Sequence, residues 1–419
     1  MIVNLHFKRR CSLHCYCLAV CCYLLLCQSC AYIINKGYTP ITSHRIHSYL
    51  NVKSGGTGID VTSPGKDDST TDAESGYIKH VPVMLEGSID LLLTNPDGRY
   101  IDATLGYGGH AEEILKRLSP KVCGMLRTLY LEQGSLVGID RDPEAVHHSG
   151  KRLQSYVDSN QLSPLISTFS NMSLILESHG LPLEGYAGII ADLGISTHQL
   201  ECAKRGFAYN TNGPLDMRMS NPLHDPFNDR EPIDPIRSLE MSNTAYKVIN
   251  KGREYDIAKI IREYGEESRA ALIAKRIVEN RQRNGSISTT QQLRDIVLSC
   301  LHGNHKDSIK VLSRVFQALR IYVNDEIEEL HKFLQLAPYM LHKKHGRLVV
   351  ISYHSLEDRI VKRAFADLQS DSMSSPDITV FKVVTKKCVT PTEEENKANQ
   401  KARSAKLRCL ERCRHKPSE

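Results

Sequence analysis

The segment Tyr100-Ile-Asp-Ala-Thr-Leu-Gly-Tyr-Gly-Gly-His110 narrows the choice of fold more than any other stretch of the chain. It reads as a short buried strand over 99–105, a glycine-rich turn, and a helix over 110–118. A second strand, Ser135-Leu-Val-Gly-Ile-Asp140, follows and closes on the acids Asp140 and Asp142. A glycine turn lets backbone approach a ligand closely, and the N-terminus of the next helix offers free N–H groups to a carboxylate or phosphate. An acid at the tip of the neighbouring strand suits the two hydroxyls of a ribose. Together these residues describe a site for a nucleoside cofactor.

Which nucleoside depends on the turn. A dinucleotide site prefers G-x-G-x-x-G. Here Gly106, Gly108 and Gly109 are followed by His110, no third glycine stands at the required step, and Asp102 heads the turn. S-Adenosylmethionine, with one carboxylate, one sulfonium and no pyrophosphate, suits this turn better. A nicotinamide oxidoreductase is disfavoured on the same ground.

Beyond the turn the alternation continues, with strands over 164–168, 186–192 and 347–352 and helices over 143–153, 171–179 and 356–368. Strands separated by helical runs argue for a parallel sheet covered on both faces. Between them, 206–235 is rich in Asn, Pro and Asp, and helices then dominate at 254–264, 267–283 and 289–301, followed by one over 313–335. The expected organisation is a leader and linker at 1–76, a core at 77–205, a mainly helical insert at 206–311, the second part of the core at 312–381, and a basic tail at 382–419. In that tail eleven Lys and Arg face five Asp and Glu.

Seven of the 13 cysteines fall in the first 30 residues, and the other six are scattered without a C-x-x-C pair. Neither a disulfide framework nor a metal site is expected. Lys8-Arg9-Arg10, the apolar run 17–27 and the small residues Ser29-Cys30-Ala31 resemble a signal sequence. Residues 32–59 carry Lys36, Arg45 and Lys53 without any acid and resemble a transit peptide. Signal plus transit is the address of a plastid reached through the secretory route (apicoplast-like), with the mitochondrion as the alternative organelle. No stable membrane association is expected after leader removal.

Nine motifs occur in order: Pro82-Val-Met-Leu-Glu86, Asp102 to His110, Gly138-Ile-Asp-Arg-Asp142, Asp192-Leu-Gly-Ile-Ser196, Arg205-Gly-Phe207, Gly213 to Met219, Tyr264-Gly-Glu-Glu267, Phe316 to Ile321, and Ser352 to Arg359. On these the chain, from about residue 78 to 410, resembles the ribosomal RNA small-subunit methyltransferase H family, also called the MraW family. The resemblance implies an α/β, Rossmann-like class I S-adenosylmethionine-dependent methyltransferase with a helical insert domain. It implies methylation of the exocyclic N4 amine of a cytidine, with small-subunit ribosomal RNA or the small ribosomal subunit as partner; a homodimer stays open. The competing reading is a non-catalytic, RNA-binding assembly factor that retains the fold.

By the same resemblance, Gly108, Gly109 and His110 contact the methionine portion of the cofactor, Asp140 holds the ribose and Phe169 lies near the adenine. Asp192 and Gln199 complete the pocket, Gln199 on resemblance alone. Asp192 ends a strand where cofactor and amine converge, so it is the leading catalytic candidate, with His354 second. Ser355 and Asp358 read as a capping box for the helix that follows. Cys202 lacks the context of an activated thiolate, which argues against covalent chemistry. Arg218 in the Gly213–Met219 loop, Arg276 in the insert, and Arg403, Lys406 and Arg408 in the tail are the candidate RNA-binding residues.

Overall fold

The protein is described from a computed structural model, over residues 82–120, 134–220, 243–301, 305–374 and 380–413. The expected leader, and the stretches 121–133 and 221–242, lie outside these residues.

Short apolar runs bounded by turns form the strands: β1 Arg99–Asp102, β2 Ser135–Asp140, β3 Leu162–Ile166, β4 Gly188–Asp192, β5 Gly346–Ser352, β6 Val380–Val383 and β7 Lys406–Cys413. They make one sheet in the order β3-β2-β1-β4-β5-β7-β6. The pairs among β1–β5 are parallel, and β7 lies antiparallel between β5 and β6. Alternate residues serve opposite faces. Ile101, Val137, Ile189 and Leu348 pack into one buried cluster, whereas Tyr100, Leu136, Ile190 and Val349 pack into another. Burial on both faces is why these strands read as continuous apolar runs.

The helices of the first half are α1 Leu85–Leu92, α2 Gly109–Arg117, α3 Pro143–Arg152, α4 Gln154–Asp158, α5 Met172–Ser178 and α6 Thr197–Glu201. Those of the insert are α7 Ala245–Lys251, α8 Glu254–Gly265, α9 Ala270–Asn284, α10 Thr290–Ser299 and α11 His305–Val323. Then come α12 Glu326–Met340, α13 Ser355–Ser374 and α14 Glu393–Ala398. The insert has its own apolar core, drawn from Phe207 and Met217 at one end to Leu319 and Val323 at the other.

Three expectations change. The helix expected over 313–335 is two helices, broken at Asn324-Asp325, where Asp325 takes a left-handed φ of 52°. The break has a purpose: buried Asn324 accepts from the Met219 N–H at 2.8 Å and donates to the Met217 carbonyl at 2.7 Å. The insert's core therefore runs past residue 311 through the whole of α11. The segment expected as a basic tail contributes a strand to the sheet, because β7 buries Leu407, Cys409 and Leu410. β7 lies inside the sheet, yet Lys406, Arg408, Glu411 and Arg412 interrupt its apolar residues and keep it from reading as a core strand.

The strand order reverses between β1 and β4, which opens a crevice beyond the carboxyl ends of the strands.

Candidate active site

At the end of β1 the chain turns through Gly108, which caps α2 in a left-handed conformation with φ 80°. A Cβ there would be strained and would lie 3.0 Å from Leu153. Gly109 is required for a different reason, since a Cβ would fall 2.3 Å from the Pro82 ring. That close approach brings Val83 over His110, whose Nε2 lies 3.3 Å from the Val83 carbonyl. A carbonyl only accepts, so Nε2 carries the proton and Nδ1 points toward Oδ2 of Asp192, 3.9 Å away.

Three carboxylates meet at the strand tips. Asp140, at the end of β2, accepts the N–H of Gly106 at 2.8 Å and of Asp142 at 2.9 Å, which fastens the glycine turn to the neighbouring strand. Asp192, at the end of β4, keeps 22% of its side chain exposed. Its backbone N–H donates to the Thr104 hydroxyl at 2.7 Å, and Oδ1 accepts from the Tyr353 hydroxyl at 2.7 Å. Asp102, at the end of β1, is 1% exposed. Its Oδ1 accepts the Thr104 N–H at 3.1 Å, and Oδ2 is buried with no hydrogen-bond partner among the described residues. Burial pushes Asp102 and Asp192 up to about 7, reinforced by Asp140 beside Asp102 and by Asp102 and Glu357 beside Asp192. Burial likewise pushes Asp140 up to about 6.

A few residues away, the acids are arranged differently. Asp142 caps α3, with Pro143 in the first turn, and its carboxylate also takes the Gln199 amide at 2.8 Å and Arg205 at 2.9 Å. Arg205 is fully buried and also reaches Glu144 at 3.2 Å and the Met219 carbonyl at 2.6 Å. Gln199 spends its remaining oxygen on the Ser196 N–H in the capping box of α6. The structure thus uses Gln199 to join α6 to the β2 tip. Phe169 stands in the turn after β3, its ring T-shaped on Phe333 with centroids 5.2 Å apart.

Two candidate RNA contacts are corrected. Arg218 is buried and forks Asp216, with both bonds at 2.7 Å. Arg408 is 8% exposed, lies within β7 and holds Asp358 at 2.7 Å. Neither faces a solvent-borne phosphate. Lys406 shares Asp358 at 3.3 Å but is 39% exposed, Arg276 pairs with Glu279 on the surface of α9, and Arg403 is exposed.

The capping box at α13 also moves by one residue. His354 is the cap: its Nδ1 accepts the Glu357 N–H at 3.4 Å, while Glu357 accepts the N–H of Tyr353 and of His354. Nε2 of His354 lies 3.0 Å from the other Glu357 oxygen. With Nδ1 so engaged, His354 serves the N-terminus of α13, while Nε2, though close to Glu357, makes no hydrogen bond among the described residues. Ser355 instead donates to Glu266 at 2.5 Å, and Asp358 holds the β7 strand. Glu326, His354 and Glu357 come close enough to hold a metal ion. Arg320 already forks Glu326 at 2.7–2.8 Å, however, and the group is internally compensated.

Asp102, Thr104 and Tyr353 are the site residues that the motif reading left out. Asp102 had a signal, being an acid at the tip of an apolar strand. Tyr353 had none, because nothing in its neighbours tells that its hydroxyl reaches Asp192 across 161 residues of chain.

A mostly parallel sheet of this order, with a glycine turn entering α2, acids at the tips of β1, β2 and β4, and a helical insert, defines a Rossmann-like methyltransferase fold. The model of the MraW methylase family matches residues 77–225 and 226–413. The chain is similar to ribosomal RNA small subunit methyltransferase H of Caldicellulosiruptor saccharolyticus, at 40% identity over 342 residues, covering 80% of this chain and 99% of that protein. It is 40% identical over 347 residues to the protein of the same name from Chloroherpeton thalassium, covering 80% and 98%. The chain belongs to the MraW methylase family.

Proposed function

We propose that this protein transfers a methyl group from S-adenosylmethionine to the N4 amine of a cytidine in small-subunit ribosomal RNA. The observation that carries the reading is the buried, partnerless Oδ2 of Asp102 between two further carboxylates, Asp140 and Asp192. A crevice that confines three acids without a matching cation favours a ligand that brings positive charge. S-Adenosylmethionine brings a sulfonium and an ammonium, together with a ribose for Asp140 and a carboxylate for the N-terminus of α2. Its sulfonium supplies an electrophilic methyl group.

The chain supplies orientation. The cytosine amine is a poor nucleophile because its lone pair is delocalised into the ring, so holding it at the right place and angle does much of the work. Asp192 stands where the β1 and β4 walls converge, within reach of His110 and Tyr353, and is the acceptor placed to take a hydrogen from the amine. No cysteine thiolate takes part. Arg276, Arg403 and Lys406 are the exposed cations left to meet the RNA backbone. The leader directs the protein to an organelle, a plastid by the signal-plus-transit pattern, which a fluorescent fusion to residues 1–76 tests directly.

The deciding experiment is methyl transfer from labelled cofactor to small-subunit ribosomal RNA, with mass spectrometry of the nucleoside. N4-methylcytidine is expected. A product methylated on the ring carbon, or RNA binding without transfer, would overturn the proposal.

A further inference from the structure

Tyr353 is the first residue after β5, and β5 lies beside β4. Its backbone N–H donates to Glu357 at 2.9 Å, which fixes it to the first turn of α13. Its hydroxyl is therefore delivered to Oδ1 of Asp192 by the sheet and a helix together, at 2.7 Å. Burial, with Asp192 itself adding to it, pushes the phenol's titration well up, so the hydroxyl stays a donor through the neutral range.

The other groups around Asp192 do not do this. Asp102 on β1 and Glu357 on α13 are acids that oppose its ionisation. His110 on α2 faces the second oxygen, Oδ2, at 3.9 Å. Thr104 takes the backbone N–H and leaves the carboxylate alone. Glu395 on α14 reaches Tyr353 electrostatically rather than Asp192. Among these neighbours, Tyr353 alone donates a short hydrogen bond to the carboxylate.

We propose that Tyr353 is a positioning residue for methyl transfer: its hydroxyl occupies Oδ1 of Asp192 and leaves Oδ2, which has His110 3.9 Å away and no hydrogen bond from Tyr353, to accept an N–H of the target amine. The proposal rests on the methyltransferase reading. A neutral donor is suited to the task because it favours the carboxylate over the carboxylic acid without cancelling the charge that the cofactor must meet. Holding one oxygen also removes a rotation of the carboxylate that would let the amine bind in a second, unproductive pose.

The variant that tests this is Tyr353→Phe, which keeps the ring and its packing. Two measurements are made on wild type and variant. The first is the pH dependence of kcat for methyl transfer, with KM for RNA determined in parallel. The acid limb of kcat should move up by about one pH unit, the scale of one lost hydrogen bond to a carboxylate, and the rate should recover as pH rises. The second needs no activity: the titration of Asp192 followed by carbon NMR in the ligand-free protein, whose midpoint should rise by a similar amount. Superimposable pH profiles, an unmoved Asp192 midpoint, or a loss of rate equal at every pH would overturn the proposal. If the wild type shows no methyl transfer at all, the functional reading fails, and the NMR titration still decides whether Tyr353 holds Asp192.

Discussion

Two regions less than a helix apart in sequence use aspartate in opposite ways. In the crevice, Asp102, Asp140 and Asp192 accept neutral donors only: backbone N–H groups and one phenol. Around Asp142 every acid has a cation, with Arg205 serving Asp142 and Glu144, and Arg218 forking Asp216. Paired buried charge is architecture; it lashes α3, α6 and the Gly213–Met219 loop together. Unpaired buried charge is costly to the empty protein, and under the proposed function the crevice is where a ligand would meet it. The contrast divides acids that look alike in sequence into those with a cation and those without.

The largest effect should come from breaking the paired region. Arg205→Met leaves Asp142 buried without its cation, and removing one partner of such a pair costs about 3–5 kcal/mol. Chemical denaturation should show that loss. A loss below about 1 kcal/mol would mean that the network is no more than a surface ion pair in effect.

The corresponding cut in the crevice should cost less stability and remove ligand. Asp140→Ala is expected to weaken S-adenosylmethionine by about 1–3 kcal/mol, roughly five- to 150-fold, because the lost bonds involve a charged acceptor. Calorimetry on the folded variant is the check. Unchanged affinity would remove Asp140 from the ribose.

How much of this was legible in the chain depends on the range of the interaction. The strand of β1, the glycine turn and the acid-tipped β2 are local patterns, and the structure builds them close to their expected bounds. The division between the two kinds of aspartate is invisible locally, since Asp140 and Asp142 stand two residues apart in one motif. Asp140 is the last residue of β2 and sits at the strand tip, whereas Asp142 lies past the strand end and caps α3. Arg218 and Arg408 failed as RNA contacts for a related reason: a count of basic residues says nothing of Asp216 or of Asp358, 50 residues upstream of Arg408. The break at Asn324-Asp325 was hidden because the apolar pattern continues across it, and only the loop that Asn324 binds explains it.

The crevice acids make stability depend on pH. A carboxyl raised from 3.8 to about 7, as in Asp102, binds its proton more tightly in the folded state than in the unfolded chain. Its contribution to stability is therefore fully present below the unfolded value and is lost as pH rises through the folded one. Asp102→Asn should accordingly raise the melting temperature of the ligand-free protein at pH 8 more than at pH 5. Each kcal/mol recovered corresponds to roughly 1–2 °C for a chain of this size. The same variant should bind the cationic cofactor less well. A variant that melts lower at pH 8 would show that Asp102 is stabilising after all, and would place it with the paired acids.

The smallest effect expected separates exposed from sheet-bound cations in the C-terminal segment. Arg403 is exposed, and its loss should subtract a single phosphate contact. For single-stranded RNA that lowers the slope of log affinity against log salt by about 0.7, with a modest loss of affinity at low salt. Arg408, five residues on, is spoken for by Asp358 and flanked by the buried Leu407 and Cys409. Arg408→Ala should leave the salt slope alone and lower the melting temperature instead, because Asp358 then keeps only Lys406. Filter binding of ribosomal RNA across a salt series, paired with thermal melts, reads both outcomes on the same two proteins. If Arg408→Ala flattened the slope while Arg403→Ala did not, the strand β7 would have to leave the sheet to meet RNA, and the division between structural and ligand-facing charge would fail at the place where it is easiest to test.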